Sequence, residues 1–225
     1  MTNDLLRALL FDMDGTLVNT EELKRKAHER TLKGQGARRL LELNDYAEVM
    51  GRPFSEVSRE LMEKAGTNLA PHDYRHIWNI HYAKLVDEFA AAHEGALRLF
   101  KMIRERRLKI AIVSSSTRIE MERVLRKTGL APWAVNLVSG DDVTAVKPSP
   151  EPYVKAMKLT FTDRDSALAL EDTDAGCESA LAAGLSVIGV RHELNARHRL
   201  QGTRHILSVH EMANPELFLS RLLEP

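Results

Sequence analysis

Four short stretches of this chain carry side chains capable of chemistry where an apolar run stops or a stiff turn begins. The run Leu9, Leu10, Phe11 ends in Asp12 and Asp14, separated only by Met13, and Gly15 then lets the backbone curl back under them. A second run, Leu108 to Val113, ends in Ser114, Ser115, Ser116 and Thr117. Hydroxyls and backbone N–H groups at a helix start form a place that holds phosphate. Lys147 precedes Pro148, Ser149 and Pro150. The prolines suit a helix's first turn and stiffen the loop, so the lysine is held in one direction, which a solvated lysine does not need. The fourth run, Ala167 to Leu170, ends in Glu171 and Asp172, with Gly176 shortly after. In an open parallel sheet the C-terminal strand edge is where ligands bind, so position and chemistry coincide.

The elements that must carry these groups follow from periodicity. Asn19, Glu21 and Glu22 read as a polar cap and an acidic first turn, predicting a helix to about Lys33. From there to about Ala92 the pattern is helical only, over 37–50, 54–65 and 71–90, punctuated by Gly34, Gly36, Gly51, Pro53 and Gly66. Strand and helix then alternate: helix 95–107, strand 108–113, and a helix from Thr117 that Gly129 ends, with Glu120 at capping-box spacing. A strand near 135–139, a helix from about Pro150, a strand at 167–170, a helix ending at Gly184, a strand at 185–190 and a last strand at 205–207 complete the chain. Such βαβ repetition predicts an α/β protein with a Rossmann-like parallel sheet covered by helices on both faces.

Composition bounds the rest. The chain has 225 residues, 44% apolar and 28% charged, ordinary values for a globular protein. Thirty-two basic residues balance 32 acidic ones, so no global field steers the chain to nucleic acid or an anionic membrane. The first residues lack a signal peptide's basic start and apolar stretch, and no 18-residue apolar run exists, so a cytoplasmic location without membrane or nucleic-acid partners is expected. The single Cys177 cannot form an intramolecular disulfide.

Phe11 to Val18 resembles the nucleophile motif of the haloacid dehalogenase superfamily, Asp-x-Asp-x-Thr/Val. Ser114, Lys147-Pro148 and Glu171-Asp172 resemble its second, third and fourth motifs in the family's order. The all-helical stretch after the first strand resembles the helical cap of its β-phosphoglucomutase-like and phosphoglycolate-phosphatase-like members. The resemblance implies a core of 1–18 and 92–225, with a cap of 19–91 inserted after the first strand. It implies Asp12 as nucleophile toward phosphorus and Asp14 as general acid/base, which requires Asp14 protonated in a desolvated setting for the first step. Ser114 and Ser115 would bind the phosphoryl group, and Lys147 would pair with both it and the nucleophile. Asp12, Asp172, the backbone carbonyl of Asp14 and Glu171 would hold a Mg²⁺. The implied activity is a Mg²⁺-dependent phosphatase of a small phosphorylated metabolite, acting as a monomer or weak dimer. A phosphomutase of the same machinery is the alternative, and a non-catalytic binding module the remote one.

The chain departs from the family's pattern at Lys24, where many relatives carry a histidine associated with cap closure in sugar-phosphate mutases. Lys24, and Arg52 beside Gly51, are the residues expected to touch substrate from the cap. Tyr74, Trp78 and Tyr82 form a helical stripe read as the cap's own core, while His72 and His76, at ligand spacing but without further ligands, are read as surface residues. The basic stretch from Arg191 to Arg204 is read as a solvated face.

Overall fold

The structure, a computed structural model, describes residues 6–223; the termini of the predicted core, and with them the expectation about the first residues, lie outside the described residues. Six apolar runs become strands: β1 (Ala8–Asp12), β2 (Lys109–Val113), β3 (Asn136–Val138), β4 (Ala167–Glu171), β5 (Ser186–Arg191) and β6 (His205–Ser208). All neighbouring pairs are parallel, in the order β3-β2-β1-β4-β5-β6. The chain leaves β1 in one direction toward β3 and in the other toward β6, so a crevice opens at the C-terminal ends of β1 and β4.

Helices α1 (Thr20–Gly34), α2 (Leu43–Ala47), α3 (Phe54–Ala65) and α4 (Pro71–Phe89) lie between β1 and β2 in the chain. The sheet is flanked by α5 (Ala96–Glu105), α6 (Arg118–Lys127), α7 (Glu151–Thr160), α8 (Asp174–Ala182) and α9 (Pro215–Leu222). Alternation along β1 sends Leu9 and Phe11 to one face, against Phe100, Ile103, Val124 and Phe218, and Ala8 and Leu10 to the other, against Tyr153 and Cys177. Both faces are covered, which is why the strands read as continuous apolar runs. The first cluster continues into the helical insertion, where Tyr74, Trp78 and Tyr82 are buried as their stripe suggested, and His72 and His76 are exposed.

The two linkers joining the insertion to the sheet pair with each other. Val18 bridges Ala92 in antiparallel fashion, and His93 N donates to Leu17 O at 2.9 Å. Asn19 serves this joint instead of capping α1: its Oδ1 accepts from Ala91 N at 2.9 Å and it gives α1 no capping bond.

Three expectations need correction. Only Leu43–Ala47 of the stretch 37–50 is helical. Arg38 N is taken by the Ala65 carbonyl and Glu42 N by the Asp45 carboxylate, so those donors serve a tertiary contact and a cap rather than helix bonds. Helix α9 was not anticipated, although Asn214 accepting from Leu217 N, with Pro215 first in the helix, is an ordinary start signal. The stretch 191–204 is not simply a solvated face: Leu194, Asn195 and Leu200 are buried. Among the described residues no helix is long and apolar enough to cross a membrane.

Candidate active site

Sheet register brings the predicted groups together. Asp12 ends β1 opposite Val113 of β2, and Phe11 lies opposite Leu170 of β4, which puts Glu171 beside Asp12. Lys147 reaches in from the loop after β3, its Nζ 2.5 Å from both Asp12 Oδ1 and Glu171 Oε1 and 3.1 Å from the Val113 carbonyl. Burial alone would lower its pKa, but the two carboxylates raise it, so the lysine is a fixed cation. Tyr153 donates to Glu171 Oε1 at 2.5 Å.

Asp14 is turned toward a different set of donors. Thr20 Oγ1 donates to its Oδ1 at 2.7 Å, Ser114 and Ser116 donate to Oδ2 at 2.7 and 3.0 Å, and Lys24 Nζ stands 3.1 Å from Oδ1. Burial pushes the Asp14 pKa up, yet Lys24 and the hydroxyls of Ser114 and Thr20 outweigh it and hold the group below the usual carboxylate range. The protonated Asp14 expected from desolvation is therefore not what these contacts favour. Lys24 also bonds Glu21 Oε1 at 2.8 Å, and Tyr46 donates to the other Glu21 oxygen at 2.8 Å. Burial would lower the Lys24 pKa, but Asp14 and Glu21 raise it.

Asp12, Glu171 and Asp172 offer carboxylate oxygens within 4.8 Å of one another, all three buried. Each pKa is raised, by burial first and then by the neighbouring acids, against the opposing pull of Lys147. Asp12 Oδ2 and Glu171 Oε2 are buried without a hydrogen-bond partner. Hard oxygens, unspent lone pairs and more negative charge than one lysine offsets are what a divalent cation such as Mg²⁺ requires.

Two glycines of the motifs have a steric reason here. A Cβ on Gly15, whose φ is +86°, would fall 2.3 Å from Asp172 Oδ2. One on Gly176 would fall 1.9 Å from Glu171 Oε2. Each glycine lets backbone pack directly on an acidic side chain.

The remaining candidates are less engaged. Ser115 is exposed at the cavity wall, and its neighbour Ser114 accepts from Ser116 N at 3.0 Å. Arg52 lines the cavity with its guanidinium on Glu60 Oε2 at 2.8 Å and the Glu48 carbonyl at 2.9 Å. The cavity, about 500 Å³, lies between the strand ends and helices α1 to α4.

Sequence reasoning missed His192 and Asn195. His192 Nε2 donates to Asp172 Oδ2 at 2.9 Å, and Asn195 Nδ2 donates to the Asp172 carbonyl at 2.7 Å. His93 Nε2 donates to the Gly15 carbonyl at 3.1 Å. The rule that found Asp12 would have found His192, since it follows the C-terminal end of β5. Thr20 and Ser116 were likewise adjacent to residues already singled out.

Residues 9–190 match the family described as haloacid dehalogenase-like hydrolase. Protein CbbY of Rhodobacter capsulatus is 32% identical over 195 residues, covering 81% of this chain and 84% of that protein. A phosphorylated carbohydrates phosphatase of Thermotoga maritima is 27% identical over 191 residues, covering 84% and 88%. A CbbY variant from Rhodobacter sphaeroides, in complex with xylulose-(1,5)-bisphosphate, shares the fold with a TM-score of 0.81 at 24% identity, covering 92% of this chain and 96% of that one.

Proposed function

The chain belongs to the haloacid dehalogenase-like hydrolase family, and from that premise we propose that it is a Mg²⁺-dependent phosphatase of a small phosphorylated metabolite, a sugar phosphate or similar. The observation that carries this reading is the buried group of Asp12, Glu171 and Asp172 around a single lysine, beside a second carboxylate, Asp14, wrapped in hydroxyls. The names of the relatives, phosphatases of phosphorylated carbohydrates among them, support the same reaction class.

A carboxylate is a weak nucleophile toward an anionic phosphate, so the negative charge must be offset before attack. Lys147 supplies a fixed positive charge to Asp12. Bound by Asp12, Asp172, Glu171 and the Asp14 carbonyl, Mg²⁺ would add charge stabilisation at the phosphoryl oxygens. Asp12 attacks phosphorus, the bond from phosphorus to the leaving oxygen breaks, and Asp14 gives that oxygen its proton. Water then attacks the phospho-Asp12 group, Asp14 takes the water's proton, and Asp12 is restored with release of phosphate.

The carboxylate form of Asp14 suits the second step directly. For the first it must hold a proton. A phosphoryl group that drew Ser114 and Lys24 to itself would remove two of the groups that lower its pKa, leaving Thr20, and would give more weight to burial, which raises it. The experiment is release of inorganic phosphate from a panel of phosphate esters with Mg²⁺ and with excess chelator: release should require the metal, and undiminished release in chelator would overturn the role given to Asp172. A mutase is the second reading, since the same residues could return the phosphoryl group to another hydroxyl.

A further inference from the structure

Beyond the phosphoryl site, the cavity wall supplied by α1 to α4 faces whatever the phosphate is attached to. Its cations are Lys24, Arg52 and Arg75, and each already has a carboxylate. Lys24 is 2.8 Å from Glu21 and 3.1 Å from Asp14, Arg52 is 2.8 Å from Glu60, and Arg75 is 2.6 Å from Glu120 of α6. His28, enclosed by Tyr46, Phe54, Tyr74 and Trp78, adds no charge, its pKa lowered to about 3 chiefly by burial. Around the cavity carboxylates outnumber cations. A divalent cation at the strand ends can balance one phosphoryl group, and no unmatched positive charge is left for a second anion.

What the wall leaves unmatched is neutral. The Arg75 guanidinium lies 4.1 Å from the Phe54 ring centroid and 5.1 Å from that of Trp78, so cation and aromatic faces form one surface. Trp78 lines the cavity, is 3% exposed, and its indole N–H is buried without an acceptor. An indole N–H left so is costly unless something that enters the site accepts from it. Resting on the phosphatase reading above, we propose that the leaving group is uncharged and hydroxyl-bearing, a sugar or polyol carrying a single phosphate, and that the wall selects against leaving groups bearing a second phosphate or a carboxylate. A hydroxyl oxygen can accept from the indole, ring carbons can lie on the aromatic faces, and hydroxyls can bridge the ion pairs without breaking them. A second anion would have to pull Arg75 from Glu120 or Arg52 from Glu60 and leave that carboxylate unpaired.

The test measures kcat/KM for phosphate release from neutral-leaving esters (a hexose phosphate, a sugar-alcohol phosphate) and from anionic ones (a pentulose bisphosphate, pyrophosphate, phosphoglycolate), with an aryl phosphate as reference. The best neutral-leaving ester should exceed the best anionic one by about tenfold or more. Aryl phosphate turnover with an anionic substrate equal or preferred would overturn this inference while leaving the phosphatase reading standing. No release from any ester, the aryl one included, would overturn both. Glu120→Gln supplies a second arm, because glutamine keeps the acceptor that holds Thr117 N at the start of α6 but removes the counter-charge of Arg75. The ratio of anionic to neutral kcat/KM should rise about tenfold in that variant. An unchanged ratio would mean that the matching of Arg75 is not what selects, and the inference would fall.

Discussion

Asp12 and Asp14 are the same side chain two positions apart, and their surroundings separate them. Asp12 faces Glu171, Asp172 and Lys147, with one oxygen unspent, whereas every contact of Asp14 is with a donor. Asp12→Asn should fold and lose roughly 10⁴-fold or more in turnover, the scale of removing a nucleophile; near wild-type phosphate release would exclude a phospho-Asp12 route. His192 gives a second residue-level prediction. Its N–H occupies one oxygen of Asp172 and leaves the other for a cation, so His192→Ala should weaken Mg²⁺ binding about 10- to 100-fold by calorimetric titration, with His192→Gln, which keeps a donor, close to wild type. Equal affinities in all three proteins would show that the contact does not orient the carboxylate. The motif residues were legible because each follows an apolar run or, for Lys147, precedes a stiff proline turn; His192 follows a strand end too, but the arginines around it suggested solvent. Leu194 and Leu200 were the apolar signals that the stretch folds inward, outweighed by the basic residues between them, while the burial of Asn195 had no signal in its type.

At the scale of elements, the strands were legible because burial on both faces leaves no room for polar residues until the strand ends. Helix α6 was legible because Thr117 and Glu120 bond reciprocally, as their spacing suggested. The stretch 37–50 was not, since Arg38 N is taken by Ala65, distant in sequence, and Glu42 N by the Asp45 carboxylate that caps the short α2. The strand ends also set how stability depends on pH. The folded-state pKa values of Asp12, Glu171 and Asp172 are raised, so the fold binds protons that the unfolded chain, titrating near pH 4, has lost. Without metal, these groups should therefore destabilise the fold increasingly as pH rises above about 4 toward their raised values. Asp14 acts in the opposite sense: its contribution is present above about pH 4 and is lost as pH falls through its lowered pKa. Mg²⁺ held by the three raised carboxylates would relieve their repulsion. Mg²⁺ at a concentration a hundredfold above its Kd at about pH 7.5 should add about 2.7 kcal/mol there, roughly 5–10 °C in Tm for a chain of this size, and the same concentration should add less at about pH 5, where protons compete for the carboxylates and Kd is larger. A thermal scan showing equal gains at both pH values would separate metal binding from these carboxylates.

For the whole molecule, the helices inserted after β1 are tied to the rest of the chain by Arg75 to Glu120 and by Glu48 to Arg197, 2.6 and 2.9 Å. On the proposed phospho-Asp12 route, access of water past the helical insertion would decide between hydrolysis and return of the phosphoryl group to a second hydroxyl. Lys24 bears on that choice. In place of the histidine that the family resemblance implies, this chain has a cation bonded at once to Asp14 of the strand end and Glu21 of α1, so charge ties α1 to the strand end. Net phosphate release without dependence on a bisphosphate primer is therefore expected. Arg52, on the cap loop, should matter only to substrates long enough to meet it: Arg52→Ala should raise KM severalfold or more for the best sugar phosphate and leave an aryl phosphate little changed. If instead a hexose 1-phosphate were converted to its 6-phosphate only with primer, and without comparable phosphate release, the molecule would be a mutase whose Lys24 does the work assigned elsewhere to histidine.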